Sequence, residues 1–363
     1  MKLLVDIGHP AHVHLFRYLI KELKANGNEI IVTVRQIPKA IKLLELFKIP
    51  YILIGGKSDS IRGKLFRQIL YDLKLLRIVN EKEIDIAIGS SITIAHVSFI
   101  SKTISIISDD DDDEVQPLMT KFGHPFADLV LSPDVLKGKR KKKETIYYAG
   151  YHELAYLHPK RFIPDPLVLK EAGLTEGEKY FVLRFNSFKA HHDIGIKGLS
   201  IENKRMLVNV LLEYGKVFIT TEREIEPEFE QYKISIPPHK IHSFLAYSTM
   251  FIGDSQTMTS EAAVLGIPSI RSNSFVRRIS YIEEEEYKYG LTFGFKPYES
   301  ERMFEKIKEL LSYSDLKAEW QEKRQRMLAD KIDVTAFMVW FIENYPESVK
   351  VMRENPDYQY NFK

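Results

Sequence analysis

The stretch GDSQTMTSEAAVLGIPSIR, Gly253–Arg271, decides how the chain is read. A short apolar strand, Met250–Ile252, delivers the chain to Gly253 and Asp254. Small and hydroxyl residues follow (Ser255, Thr257, Thr259, Ser260), and a helix opens whose first amides point back toward the turn. Such a terminus suits a phosphate or diphosphate, because unpaired N–H groups and the helix dipole act together. Glu261 lies one turn further on, where a carboxylate can accept the two hydroxyls of a ribose. Gly266 ends the helix and Pro268 starts the next strand. The same pattern also fits an ordinary strand–turn–helix with a capping Ser or Asp, and local physics alone leaves the two readings level.

Outward from this stretch the chain repeats one grammar. The first half reads as strand Lys2–Ile7, a helix through Val13, Phe16, Leu19, Ile20 and Leu23 ending at Asn26-Gly27, and strand Glu29–Val34. A helix around Ile37–Phe47, strand Tyr51–Ile54, a long helix near Arg62–Asn80 and strands at Ile84–Ile88, Thr103–Ile107 and Leu129–Leu131 continue it. The second half restarts at strand Tyr180–Phe185, with helix Glu202–Tyr214, strand Lys216–Thr220 and a helical turn at Ile241–Ala246. Strands alternating with helices imply parallel sheets. The expected fold class is therefore α/β, two Rossmann-like doubly wound domains facing across a cleft. The expected domains are 1–155, 170–330, and a C-terminal helix and tail over 331–363, whose apolar VTAFMVWFIENY suits packing back onto the first domain. KGKRKKKE, Lys137–Glu144, reads as too charged to pack, and HPKRFIPDP, His158–Pro166, as linker.

Composition narrows the function. The chain has 363 residues, 44% hydrophobic and 28% charged, with 52 basic residues against 50 acidic ones. That balance lacks the positive field of a nucleic-acid binder. The absence of cysteine removes disulfides, thiolate nucleophiles and cysteine-bound metals. MKLLVDIGHP is too short and too polar for a signal sequence, and no segment is long and apolar enough to span a bilayer, so a cytoplasmic protein is expected.

Other candidate groups also follow strands. GHPAHVHLFRYLI places Gly8, His9, His12 and His14 after the first strand, where His12 suits a general base or a donor to a leaving diphosphate. RFNSFKAHHDIG places Arg184, Asn186, Ser187, His191 and His192 after the second half's first strand, with Arg184 suited to phosphate. SDDDDDEVQP, from Ser108, reads as solvated charge at a helix start, with magnesium binding by the five aspartates as the alternative and Glu114 or His124 in reach of a site. Asp6, His12 and His14 with His191, His192 and Asp193 also permit a metal-dependent hydrolase, which would require a single barrel-like domain. The Arg62–Val79 helix, basic and apolar by turns, reads as a packed helix with a solvated face, or as one that docks on a membrane surface.

The Gly253–Arg271 segment resembles the nucleotide-sugar signature of GT-B-type proteins, especially the UDP-N-acetylglucosamine 2-epimerases and the N-acetylglucosaminyltransferase of the lipid-linked peptidoglycan precursor. Asp254-Ser255 and Glu261-Ala262 stand at the epimerase spacing, though the glycines expected after the serine are Gln256 and Thr257 here. The resemblance implies that Glu261 holds the ribose and that Ser255, with the Thr257 and Met258 amides, holds the diphosphate. Gly8–His14 resembles the transferase's first loop, with His12 at the position of its histidine and of an epimerase glutamate. Tyr147–Pro159 resembles its interdomain turn, with Gly150 as hinge and His152 near the cleft. Over nearly its full length the chain resembles an uncharacterised prokaryotic family, domain of unknown function 354.

The resulting expectation is a GT-B glycosyltransferase of polysaccharide biosynthesis, inverting and without a metal or resident cofactor. It would use a UDP-sugar as donor and a saccharide or lipid-linked acceptor. Its catalytic residues would be His12, His14 and Glu114. Its nucleotide-sugar residues would be Gly8, Arg184, Asn186, Ser187, His192, Ser255, Thr257, Met258, Glu261 and Arg271. A nucleotide-sugar epimerase and a binding protein without turnover remain the alternatives. Nucleic acid is not expected as a partner, and peripheral contact with the inner membrane surface is left open.

Overall fold

A computed structural model describes residues 1–56, 61–175, 177–185, 198–221 and 225–363. The chain forms two compact units, residues 1–156 with 331–363, and residues 157–330.

Unit 1 begins β1 (Lys2–Ile7), α1 (Pro10–Ala25), β2 (Glu29–Arg35), α2 (Pro38–Leu46), β3 (Ile52–Gly55) and α3 (Ile61–Lys82). It continues β4 (Ile86–Gly89), α4 (Ile92–Phe99), β5 (Ile104–Ser108), α5 (Pro117–Phe122), β6 (Leu129–Pro133), β7 (Thr145–Tyr148) and α6 (Leu154–Leu157). Its strands form one parallel sheet in the order β3-β2-β1-β4-β5-β6-β7. The near-continuous apolar runs of β1 and β5 are those of strands covered on both faces. The order reverses between β1 and β4, so the loops after these two strands part there and leave a crevice at their carboxyl ends.

Unit 2 contains α7 (Leu167–Glu171), β8 (Tyr180–Arg184), α8 (Ile201–Leu212), β9 (Lys216–Thr220), α9 (Ile241–Ala246), β10 (Met250–Gly253), α10 (Gln256–Leu265) and β11 (Ser269–Ser272). It ends with α11 (Ser280–Tyr287), β12 (Thr292–Phe295), α12 (Ser300–Leu311) and α13 (Leu316–Asp330). Its parallel sheet runs β12-β11-β10-β8-β9, reversing between β8 and β10. The final segment, α14 (Val334–Glu343) and α15 (Glu347–Glu354), belongs to unit 1, where α14 packs on α1 and Asn26 and Asn28 hold Glu343. The apolar VTAFMVWFIENY stretch thereby finds the surface its composition demands.

The charged runs are only partly in solvent. Most of Lys137–Glu144 is exposed, as its charge demands, but Arg140 is buried in unit 1. Its Nη1 meets Asp113 at 2.7 Å and Asp109 at 3.1 Å, and its Nη2 donates to the Ser132 hydroxyl and the Asp109 carbonyl. The aspartate run is correspondingly not a solvated cap: Asp109 and Asp113 are buried, with His124 Nε2 2.7 Å from Asp109. Burial pushes the Asp109 carboxyl up, but His124 and Arg140 together hold it below the usual carboxylate range. A run of like charges reads as solvated only while its countercharge, 27 residues away in sequence at Arg140, is out of view.

Replacing Arg140 tests this arrangement. Arg140→Ala strands two carboxylates in the interior and is expected to cost roughly 3–5 kcal/mol in urea denaturation. A loss below about 1 kcal/mol would show that the cluster is solvated after all.

Candidate functional site

In unit 2 the residues at the carboxyl edge stand in one register row: Thr220, Arg184, Gly253, Arg271 and Gly294 on β9, β8, β10, β11 and β12. Residues in register across parallel strands project to one face, so two arginines flank a glycine. Gly253 is required there, since a Cβ would lie 2.8 Å from the Arg184 Cβ and 2.6 Å from its carbonyl oxygen. Arg184 Nη1 donates to the Thr220 hydroxyl at 3.2 Å. Arg271 is fully buried; its guanidinium nitrogens find no hydrogen-bond acceptor, and Glu283 is 3.6 Å away. Burial lowers its pKa, and Tyr281 and the glutamates of α11 oppose that. It therefore contributes field at the edge, with no atom exposed for contact.

The edge opens into α10. Ser255 is its N-cap, with extended backbone and a hydroxyl that accepts the Met258 amide at 3.3 Å. The Thr259 amide goes to the Ser255 carbonyl. The Gln256 and Thr257 amides have no acceptor within the helix, and Ser255, Gln256 and Thr257 are part-exposed between the buried β10 and the buried helix body. Of the amides singled out in the sequence, Thr257 thus remains available and Met258 is spent on the cap. Gln256, in place of a glycine, supplies the second. Gly266 closes α10 in the left-handed conformation, φ 72°, that glycine adopts without strain.

Glu261 is only 5% exposed, and its Oε1 lies 2.8 Å from His242 Nε2 on α9. This is a buried histidine–carboxylate pair packed beside Phe162. A ribose held here has to share the carboxylate with His242, which the sequence reading did not anticipate. The two residues are 19 apart, and nothing local in Ile241–Ala246 marks the histidine as a partner.

In unit 1 the loops after β1, β5 and β7 bring together His9, His12, Ser108, Asp110, Asp111 and His152. The Gly8 amide donates to His12 Nδ1 at 3.2 Å. With Nδ1 an acceptor, the neutral ring carries its proton on Nε2. Burial, with His9, His152 and Arg35 adding to it, pushes the His12 pKa well below the usual imidazole range. His12 is thereby a neutral Nε2–H donor, like other imidazoles kept uncharged to polarise a ligand oxygen. Of the two roles open in the sequence, the geometry favours the donor and disfavours the base.

His152 lies between Asp110 Oδ2, 3.0 Å from Nδ1, and the Ser108 hydroxyl, 2.8 Å from Nε2. Burial, followed by the charges of Asp110, Asp109 and Asp112, raises the Asp111 carboxyl well above the ordinary range. Glu114, the acid singled out in the sequence, is exposed, and the aspartates expected as solvated charge lie nearer the histidines. The raised proton affinity of Asp111 comes from burial and neighbouring charges that only the fold shows.

Other candidates lie elsewhere. His14 is buried on α1, its ring 5.8 Å from that of Phe47 and 5.6 Å from that of Tyr156. Asp6 is fully buried and accepts from the Thr33 and Ser91 hydroxyls at 2.7 and 2.5 Å. Asp6 and His14 are thus both buried within unit 1, and among the described residues no group of three or more ligating side chains is placed to hold an ion. Asn186, Ser187, His191, His192 and Asp193 lie outside the described residues. A cavity of about 790 Å³ in unit 2, lined by Tyr180, Tyr214, Tyr247, Gly266 and Tyr313 among others, opens at the amino ends of β8 and β11, opposite the arginine row.

Each unit is a doubly wound parallel sheet with polar residues gathered at the carboxyl ends of its strands, the α/β fold class of GT-B-type proteins. The chain belongs to the family described as protein of unknown function DUF354, whose sequence profile matches residues 1–288. A relative from Methanocaldococcus jannaschii, described as an uncharacterized protein, is 26% identical over 282 residues, 73% of this chain and 80% of its own. Among solved structures, the fold is similar to S. aureus MnaA in complex with UDP (TM-score 0.66, 15% identity, 96% of this chain and 97% of that one). It is also similar to a UDP-N-acetylglucosamine 2-epimerase (0.64, 16%, 100% and 97%) and to the spinosyn rhamnosyltransferase SpnG (0.59, 13%, 94% and 100%).

Two measurements check the geometry. Two-bond 1H–15N correlation spectra should show His12 neutral at pH 6 with its proton on Nε2; a ring protonated on Nδ1, or titrating near 6.5, would contradict the donor assignment. Glu261→Ala, which leaves His242 buried without its acceptor, is expected to lower stability by about 1–3 kcal/mol, while Glu261→Gln retains most of it. Equal stability of the two variants would mean the pair does not form.

Proposed function

We propose that the protein is a glycosyltransferase that takes a sugar from a UDP-sugar, with the nucleotide on unit 2. The observation that carries this reading is the coincidence, at the reversal between β8 and β10, of the two acceptor-less amides opening α10 with the Arg184–Gly253–Arg271 row. A diphosphate has two negative ends to place, and this edge offers backbone donors and a guanidinium for contact, with a second guanidinium reinforcing the field. Glu261, with its carboxylate oriented by His242, is the candidate for the ribose.

On unit 1, the neutral His12 offers its Nε2–H to a substrate oxygen on which negative charge develops. Hydrogen bonds aimed at developing charge in a dry site lower the barrier most, and a neutral donor there costs no proton equilibrium at physiological pH. Acceptor deprotonation then falls to another group, for which the Asp110–His152 pair is the candidate. The acceptor is expected to be a saccharide or a lipid-linked saccharide, and the reaction to proceed with inversion and without a metal.

One observation favours a second reading. Epimerisation at a sugar carbon needs one group to remove a proton and another to return it. Asp111, with its raised pKa, next to the Asp110–His152 pair forms such a set. Incubation of a UDP-sugar in D2O without acceptor separates the two: epimerisation yields an inverted stereocentre carrying deuterium, whereas a transferase leaves the sugar unchanged or only hydrolysed.

The nucleotide claim itself is tested by thermal shift with nucleoside diphosphates and their sugars. At about a hundred times its dissociation constant a ligand should add roughly 2.7 kcal/mol, equivalent to a rise of some 5–10 °C in Tm. Arg184→Ala is expected to remove most of that rise. No response to any uridine nucleotide would defeat both readings.

A further inference from the structure

Helix α3 has two apolar stripes on opposite sides. Tyr71, Leu75 and Val79 face the core of unit 1 and are buried there. Phe66, Ile69, Leu70 and Leu73, at the i, i+3, i+4, i+7 spacing of a second stripe, are 62, 50, 43 and 58% exposed. Four large apolar side chains in one helical row on a surface exceed the scattered exposure that needs no explanation. The row ends at Arg77, and Arg67 and Lys74 lie along one flank.

Charge identifies what fits this face. The α3 sequence carries six basic and two acidic residues. Neither acid offsets the flank: Asp72 is turned inward to His96 Nδ1 at 2.8 Å, and Glu81 is paired with Arg77 at 2.6 Å. Lys74, exposed, donates to the neutral Leu53 carbonyl and has no carboxylate partner among the described residues. The ring of His96 also lies 2.8 Å from the Phe122 carbonyl through Nε2, which ties α5 to the α3 side and brings the exposed Phe122 and Leu118 with it.

A second copy of the same stripe would set Arg67 and Lys74 against their own images or against Arg77, so self-association works against like charge. An anionic bilayer answers both features at once. Its acyl boundary accepts Phe66, Ile69, Leu70 and Leu73, and its headgroups neutralise the bases. Among the described residues no helix is long and apolar enough to cross a membrane, so contact of this kind lies in the interface plane.

We propose that the outer face of α3 in unit 1 docks the protein peripherally on an anionic lipid surface. The inference stands apart from the reaction assigned above, because it uses none of the groups placed in that site.

Co-sedimentation of the full chain with large unilamellar vesicles tests it, using neutral phosphatidylcholine vesicles and vesicles containing 30% phosphatidylglycerol, a composition on the order of that used to give an appreciable negative surface potential. Binding to the anionic vesicles only, weakening as salt rises, is expected. Phe66→Asp/Leu73→Asp and, separately, Arg67→Glu/Lys74→Glu should each lower the partition coefficient roughly tenfold or more. Circular dichroism and an unchanged Tm serve to show that the variants are folded. Equal binding to both vesicle types, no binding to either, or variants that bind like the parent chain would overturn the proposal. So would a concentration-dependent dimer in sedimentation velocity that Phe66→Asp/Leu73→Asp abolishes, since the stripe would then be an interface between copies.

Discussion

The glycine at position 253 governs how close the strands of unit 2 can bring their charges. With no side chain between them, Arg184 and Arg271 share one face of the sheet beside the start of α10. A guanidinium buried at a strand end, as Arg271 is, loses its hydration and needs compensation. For Arg271 it comes from Tyr281 and the glutamates of α11, which oppose the effect of its burial. Glu286, one of these, is itself pushed up to about 7 by burial, against the hydrogen bond from the Gly294 amide. A folded-state pKa above the unfolded value near 4.5 means that the native chain holds the extra proton. This group therefore favours folding most below about pH 4.5 and loses that contribution as pH rises through 7. The charge balance beneath the proposed anion site thus shifts near neutrality.

Unit 1 uses the same edge of its sheet for different chemistry. The Gly8 amide fixes which nitrogen of His12 is protonated, Asp110 lies against Nδ1 of His152, and burial with the neighbouring aspartates raises the proton affinity of Asp111. Beneath these groups Arg140, His124, Asp109 and Asp113 form a closed interior network that anchors the loop bearing Asp110 and Asp111. Rigidity at 109 and 113 with partial exposure at 110 and 111 is what a loop needs if it is to hold an acid in one place.

The alternation of strands and helices was readable because parallel sheets demand unbroken apolar strands and amphipathic cover, and β1, β2, β8 and β10 supply both in a few residues. Strand β12, TFGF, escaped because Gly294 interrupts its pattern; the glycine is there since a Cβ would lie 2.9 Å from Val276 and 3.0 Å from Glu286. Strand β7 escaped because it follows the basic run whose Arg140 proved to be interior. The strand–turn–helix that opens α10 and the place of Arg184 at the end of β8 were legible from local order alone. The His242 contact to Glu261, the Gly8 contact to His12 and the raised proton affinity of Asp111 were not. Each depends on a partner brought in by the fold, and a sequence shows residue types without showing which of them meet.

The central claim is that the carboxyl edge of β8 and β10 in unit 2 receives a diphosphate. A crystal structure of the protein soaked with UDP tests it most directly. The diphosphate is expected within hydrogen-bond distance of the Gln256 and Thr257 amides and the Arg184 guanidinium, with the ribose on Glu261. Density for UDP in the tyrosine-lined cavity at the opposite edge, with α10 left bare, would contradict it.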